Sequence, residues 1–252
     1  MPKLCGTLFV YNGKSMDYCC LEAIQSLLGF CDHVIVLDAG STDGTLKDLK
    51  SVQSDKVRLL PFPTSEWEKH KGKEKLNHFT NIAIAEAEML GYEYQFNLQA
   101  DEIVHEKCYK SIRDAVNTGA EGFLTTRINL WESPYKQLCV EPHRMPCSTQ
   151  IVRLTKTNYR SYGDAESVAV DNPNTDYLDA IRIYHMGFVR KRDVMKNKVI
   201  HMQEQVFLVE HDKKLDGSDV FVPERWFSGN DLKLIEEPLP EVIQEWAEKR
   251  VY

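Results

Sequence analysis

The sequence predicts an α/β protein in which a parallel sheet is completed by later, mixed strands, and three observations lead there. Over the first hundred residues, short β-branched runs alternate with stretches whose apolar residues recur at helical spacing. Two of those runs stop abruptly at an acid. Beyond residue 120 the chain becomes β-rich, with few helical signals between the runs.

The elements follow in order. LCGTLFV, from Leu4 to Val10, is a strand candidate, and Ser15 is expected to cap a helix whose Leu21, Ile24 and Leu28 fall on one face. Val34 to Leu37 is short, β-branched and bounded by turn formers, as a buried strand should be. Asp38 ends it, Ala39, Gly40 and Ser41 permit a tight turn, and Ser41 or Thr42 is expected to cap a helix through Leu46 and Leu49. KVRLLPF supplies a third strand. Leu76, Phe79, Ala83, Ala87 and Leu90 then mark a helix that Gly91 stops, and YEYQFNL gives a fourth strand. This βαβαβαβ order implies parallel strands with right-handed crossovers, a Rossmann-like half. KCYKSIRDAVNTG reads as a helix, GFLTTRINLW, STQIVRLT and AIRIYHM as strands, the segment from Arg190 to about His211 as helical, and EVIQEWAEKR as a short closing helix. The expected organisation is one domain over residues 1–212 and a carboxyl-terminal extension over 213–252.

Composition narrows the class. An apolar content of 42% and a charged content of 27% describe an ordinary globular chain, and a net charge of −7 argues against a general nucleic-acid binder. No apolar stretch reaches transmembrane length, and MPKLCGTLFV lacks the features of a signal peptide. Seven cysteines, odd in number and unevenly spread, do not form a disulfide framework, so a cytoplasmic location is expected. CVEPHRMPC sets Cys139, His143 and Cys147 at even spacing, but a structural zinc site wants four ligands, and incidental thiols are the favoured reading.

Chemistry is expected where strands end in acid. VIVLDAGSTDGT puts Asp38 at a strand's carboxyl end beside a helix amino terminus, the usual place of a ligand crevice. FNLQADEIVHE puts Asp101 and Glu102 on the same edge. Two strands delivering carboxylates to one edge suit a nucleotide held together with a hard divalent cation.

FVYNGKSM, VIVLDAGSTDGT, NIAIAEA and NLQADE occur in that order, and with them residues 4 to 105 resemble the family 2 glycosyltransferases, which have the GT-A fold. The resemblance implies a nucleotide-diphosphate sugar donor, a UDP-sugar by default, a divalent cation (Mn²⁺ or Mg²⁺) and an inverting transfer. By position, Tyr11 and Asp38 would hold the base and ribose, with Asn12 in the Tyr-Asn turn and Asn81 opening the helix after the third strand. Asp101 would bind the metal, and Gln99 replaces the first acid of the Asp-x-Asp region. Thr80 stands where an Arg is common; KHKGKEK offers Lys73 or Lys75 as substitutes on the diphosphate, but a lysine-rich exposed loop is the favoured reading.

An inverting transfer also needs a base. YRSYGDAESVAV offers two acids on one side of an extended segment, of which Glu166 is favoured and Asp164 the alternate; a polar turn before an SVAV strand is the plain alternative. His185, at the end of an apolar strand, is the further metal ligand by resemblance, or else a core histidine. Arg190, with Lys191 and Arg192, is a candidate for the diphosphate. Trp131, Tyr135 and Trp226 are stacking faces for an acceptor or simply core. VPERWF lacks the Gln of the processive synthases' Gln-x-x-Arg-Trp signature. The acceptor is open between a glycan, a lipid-linked glycan and a modified nucleobase. A sugar-phosphate nucleotidyltransferase and a noncatalytic sugar-nucleotide or carbohydrate-binding protein are the rival readings.

Overall fold

Four parallel strands build the predicted half: β1 (Leu4–Val10), β2 (His33–Asp38), β3 (Val57–Pro61) and β4 (Tyr94–Asn97), in the order β3-β2-β1-β4. The computed structural model describes residues 1–140, 147–209 and 231–250. Val10 pairs with Asp38, Asp38 with Pro61 and Thr7 with Asn97, so the carboxyl ends of all four strands lie along one edge.

Strand alternation decides which side chains meet which helix. Leu4, Leu8, Val34 and Val36 join Ile24 and Leu27 of α1 (Cys20–Leu28) in the main core, whereas Cys5 and Ile35 face Ala83 and Ala87 of α4 (Glu74–Met89). Each fully buried Leu or Ile contributes about 1.5–3 kcal/mol. The helix expected from KCYKSIRDAVNTG is α5 (Tyr109–Asn117), whose Ile112, Ala115 and Val116 also enter the main core.

The remaining strands are mixed, as expected. β8 (Gln150–Lys156) lies antiparallel to β4, and β6 (Gly122–Trp131) antiparallel to β8. β9 (Arg182–Phe188) runs parallel to β6 and antiparallel to β5 (Glu102–Val104). This register sets Glu102, His185 and Asn129 side by side across three strands. β7 (Ser133–Leu138) folds back on β6 and pairs with β10 (Leu232–Leu234). Leu239, Ile243 and Trp246, around the closing helix Gln244–Glu248, belong to the same core as α1. The boundary expected at 212/213, His143 and the VPERWF segment with Trp226 lie outside the described residues.

Two expected caps are not made. The turn Asn12–Asp17 delays α1 until Cys20, and the Ser15 hydroxyl donates to the Asn12 carbonyl. Ser41 receives the Asn12 N–H and ties the ends of β1 and β2 together; α2 (Thr45–Leu49) is instead entered through Gly44, with Asp43 accepting from the Thr45 N–H at 3.0 Å. The SVAV run is no strand, and only Val168 bridges, to Ser161. α3 (Thr64–Lys69), β5, β7 and β10 had no clear signal in the sequence. All seven cysteines are free, and no helix among the described residues is long and apolar enough to cross a membrane.

Gly40 has a conformational requirement. Its φ is +89°, and a Cβ there would lie 2.5 Å from Thr64 Cα, because the turn after β2 presses on the start of α3. Gly40→Ala should lower stability by about 1–3 kcal/mol, the cost of strain at such a site, as read from urea unfolding.

Candidate active site

A cavity of about 420 Å³ opens at the carboxyl edge of β1 and β4. Tyr11, Trp67 and His201 line one part of it, Gln99, Asp101, His185 and Lys198 another, and Asp164 and Glu166 a third. α6 (Arg192–His201) and the π-helical turn Met202–Val206 that continues it bring Lys198 and His201 to this edge.

Asp101 is the centre of a buried charge cluster. Lys198 Nζ donates to Oδ2 at 3.0 Å, Arg190 Nη2 lies 3.5 Å from Oδ2, and His185 Nε2 is 3.9 Å from Oδ1. Burial disfavours the Asp101 anion, but the Lys198 ammonium and the Arg190 guanidinium outweigh it and hold the carboxyl well below the usual carboxylate range. Burial, reinforced by Arg190, pushes Lys198 down to about 8 against the pull of Asp101. Burial also pushes His185 down to about 4, so the imidazole is neutral at pH 7. Its Nδ1 lies 2.9 Å from Asn129 Oδ1 and must donate there, which leaves the Nε2 lone pair toward Asp101. Gly187 O accepts from both Lys198, at 3.1 Å, and Arg190 Nη1, while the Tyr18 ring lies beneath both cations at 5.1 and 5.2 Å.

The neighbouring Glu102 organises a second cluster. Arg153 Nη2 donates to it at 2.7 Å and Arg127 Nη1 at 3.5 Å, all three side chains being buried. Its other oxygen accepts the Gln99 N–H at 2.9 Å and so shapes the turn that carries Asp101. Arg153 also donates to Asn97 and to the Ala165 carbonyl, and Arg127 to Glu166.

Glu166, expected as a free base, is not free. One oxygen accepts from Arg127 and from Ser148 N–H at 3.0 Å, and the other from Ser148 Oγ at 2.8 Å. Burial would raise its affinity for a proton, but Arg127 and the Ser148 donors prevail and bring it down to about 2, which makes it a weak proton acceptor. Asp164 lines the same cavity and meets Lys73 at 3.3 Å.

The structure thus brings Tyr11, Gln99, Asp101, Asp164, Glu166 and His185 to one cavity, but not Asn12, Asp38, Asn81 or Arg190, none of which lines it. Asn12 accepts the Thr42 N–H and serves the turn. Asn81 binds Ser161 N–H, Oγ and O, anchors the loop that carries Asp164, and lines a separate groove with His70 and His78. Asp38 is fully buried; Oδ2 accepts the Ser41 N–H at 3.2 Å, and Oδ1 has no hydrogen-bond partner. Tyr11 stacks on Trp67 at 3.9 Å and 7°, with His201 5.8 Å away. Lys75 is turned to Trp67 and Gln205. Trp131 is buried against Phe188, and Tyr135 is partly exposed on β7.

Lys198, Arg127, Arg153, Trp67 and His201 belong to the cavity or its charge clusters without having been singled out from the sequence, whereas Glu102, expected on the strand edge, turns to the two arginines. The arginines had a signal, since each stands inside an otherwise apolar strand run and a charge buried there requires a partner.

The expected divalent cation does not fit this donor set. Asp101 and His185 would be its ligands, yet Asp101 already faces two cations, and no group of three or more His, Cys, Asp or Glu suited to a metal exists among the described residues.

No family model and no curated protein matches this chain. Among solved structures it is similar to S. aureus TarS 1-349, at 13% identity and TM-score 0.44 over 88% of this chain and 73% of that one. The same fragment in complex with UDP gives 13% identity, TM-score 0.42 and coverages of 88% and 71%. Mannose-1-phosphate geranyltransferase from Thermus thermophilus gives 17% identity, TM-score 0.35 and coverages of 54% and 44%.

The pKa directions set an acid limit on stability. Glu166 and His185 both bind fewer protons folded than unfolded, Glu166 between about 2 and its ordinary 4.5 and His185 between about 4 and 6.5, so stability rises with pH through both windows. The thermal midpoint should fall as pH drops from 6.5, and Glu166→Gln should flatten the limb below 4.5 while sparing the one above it; an unchanged acid limb would remove Glu166 as its cause.

Proposed function

We propose that this chain is a glycosyltransferase that moves a sugar from a nucleoside-diphosphate donor to a hydroxyl acceptor. The observation that carries the reading is the content of one cavity at the strand edge: an aromatic shelf, a fixed cationic end and the Asp164 carboxylate. Tyr11, Trp67 and His201 suit a base. The Asp101 end suits the diphosphate. A UDP-sugar is the default donor by resemblance, and the acceptor is a glycan, a lipid-linked glycan or a modified nucleobase.

The reaction is a single displacement. The acceptor oxygen bonds to the anomeric carbon as the bond from that carbon to the diphosphate oxygen breaks. The electron pair stays on the diphosphate, and the acceptor's proton passes to a carboxylate. Asp164 is the better choice for that proton, because Glu166 is committed to Arg127 and Ser148. Glu166 then serves to hold Arg127 and the Ser148 turn. Inversion follows from one displacement and from the resemblance.

UDP, GDP, CDP, ADP and TDP, compared by thermal unfolding, test the reading. At about a hundred times its dissociation constant, the correct nucleotide should stabilise the fold by roughly 2.7 kcal/mol. Binding without transfer or donor hydrolysis would favour a noncatalytic sugar-nucleotide or carbohydrate-binding protein.

Asp164→Asn should lower turnover by about 10²–10⁴-fold with little change in donor affinity. Unimpaired turnover in that variant, with loss in Glu166→Gln, would return the base to Glu166.

A further inference from the structure

We infer that Lys198, backed by Arg190, is the cation that receives the donor's diphosphate, so that this chain binds its nucleotide without a divalent metal. The inference rests on the transferase reading and names the charge that its diphosphate end uses.

Four observations converge on it. Lys198 lines the cavity and donates to an Asp101 oxygen at 3.0 Å, so that oxygen already has a cation as its partner. Arg190 is fully buried behind it, and its Nε and Nη2 make no hydrogen bond, so this end of the site has donors in excess of acceptors. Two basic side chains, Lys198 and Arg190, face the one Asp101 carboxylate, and the surplus is positive before any ligand arrives. A diphosphate cancels that surplus, whereas a divalent cation enlarges it. The arrangement is also rigid. Gly187 O and the Tyr18 ring engage both cations, and a Cβ on Gly187 would lie 2.2 Å from His185 Nε2, so the close approach depends on that glycine.

In the transfer, the bond from the anomeric carbon to the β-phosphate oxygen breaks and leaves its electron pair on that oxygen. The Lys198 ammonium donates a hydrogen bond to the charge that develops there and keeps its proton, while the acceptor's proton goes to the base. A fixed ammonium placed for this purpose requires no reorganisation as the charge grows. Gln99, neutral where the family pattern has an acid, agrees with a site that has no second carboxylate to offer a metal.

The test uses the whole chain and the nucleoside diphosphate that passes the unfolding panel, with its parent nucleoside as control, titrated calorimetrically in EDTA and again in Mn²⁺ or Mg²⁺. Binding in EDTA, with affinity unchanged by metal, is the expected result. Lys198→Met should weaken the diphosphate about 10- to 100-fold, as expected for a lost hydrogen bond to a charged group, and leave the nucleoside unaffected; Lys198→Arg should restore most of the loss. Nucleoside binding reports that the variants are folded, and the metal dependence of the unaltered chain decides the matter even if they are not. Binding that requires metal would overturn this inference and leave the transferase reading in place. Failure of all five diphosphates to bind in either condition would overturn both.

Discussion

The carboxyl edge of the sheet depends on one buried carboxylate, Glu102. It lies between Arg153 and Arg127 and accepts the N–H of Gln99, so the turn that delivers Asp101 to the cavity is shaped by a buried ion network. Such a network is weak evidence for stability, because desolvation offsets much of the attraction, but leaving one of its members unpaired typically costs about 3–5 kcal/mol. Its value here is geometric. Arg153 also reaches Asn97 at the end of β4 and the Ala165 carbonyl, and Arg127 reaches Glu166, so one set of charges fixes both the turn that carries Asp101 and the loop that carries the acids opposite it.

Consecutive residues thus serve two separate clusters. Asp101 faces the cavity and is matched by Lys198 and Arg190, whereas Glu102 turns to the two arginines of β6 and β8. His185 stands between them, neutral and oriented by Asn129. The balance at Asp101 depends on α6, since that helix supplies Lys198. The same helix ends in His201, which approaches the Tyr11–Trp67 stack, so one segment contributes to both ends of the site.

The loop from Ser161 to Glu166 is likewise held from outside. Asn81 on α4 binds Ser161, Lys73 contacts Asp164, and Arg127 secures Glu166. Asn81, expected to touch a nucleotide, acts on the site through this loop.

Sequence alone determined the parallel half. Its strands and helices are legible because alternation and helical spacing are local properties, and Asp38 and Asp101 are legible as strand-end acids because the same local pattern says where a strand stops. The three-residue strands β5 and β10 and the partly polar β7 were not, since such short or polar runs gain their form only from the strands they pair with. Tertiary structure decided what each acid does. Arg127 and Arg153 lie 25 and 51 residues from Glu102, and Lys198 lies 97 from Asp101. No local rule encodes those separations; sheet register and the packing of α6 bring the charges together, and whether a carboxylate is a base, a counterion or a metal ligand depends on which charges it meets.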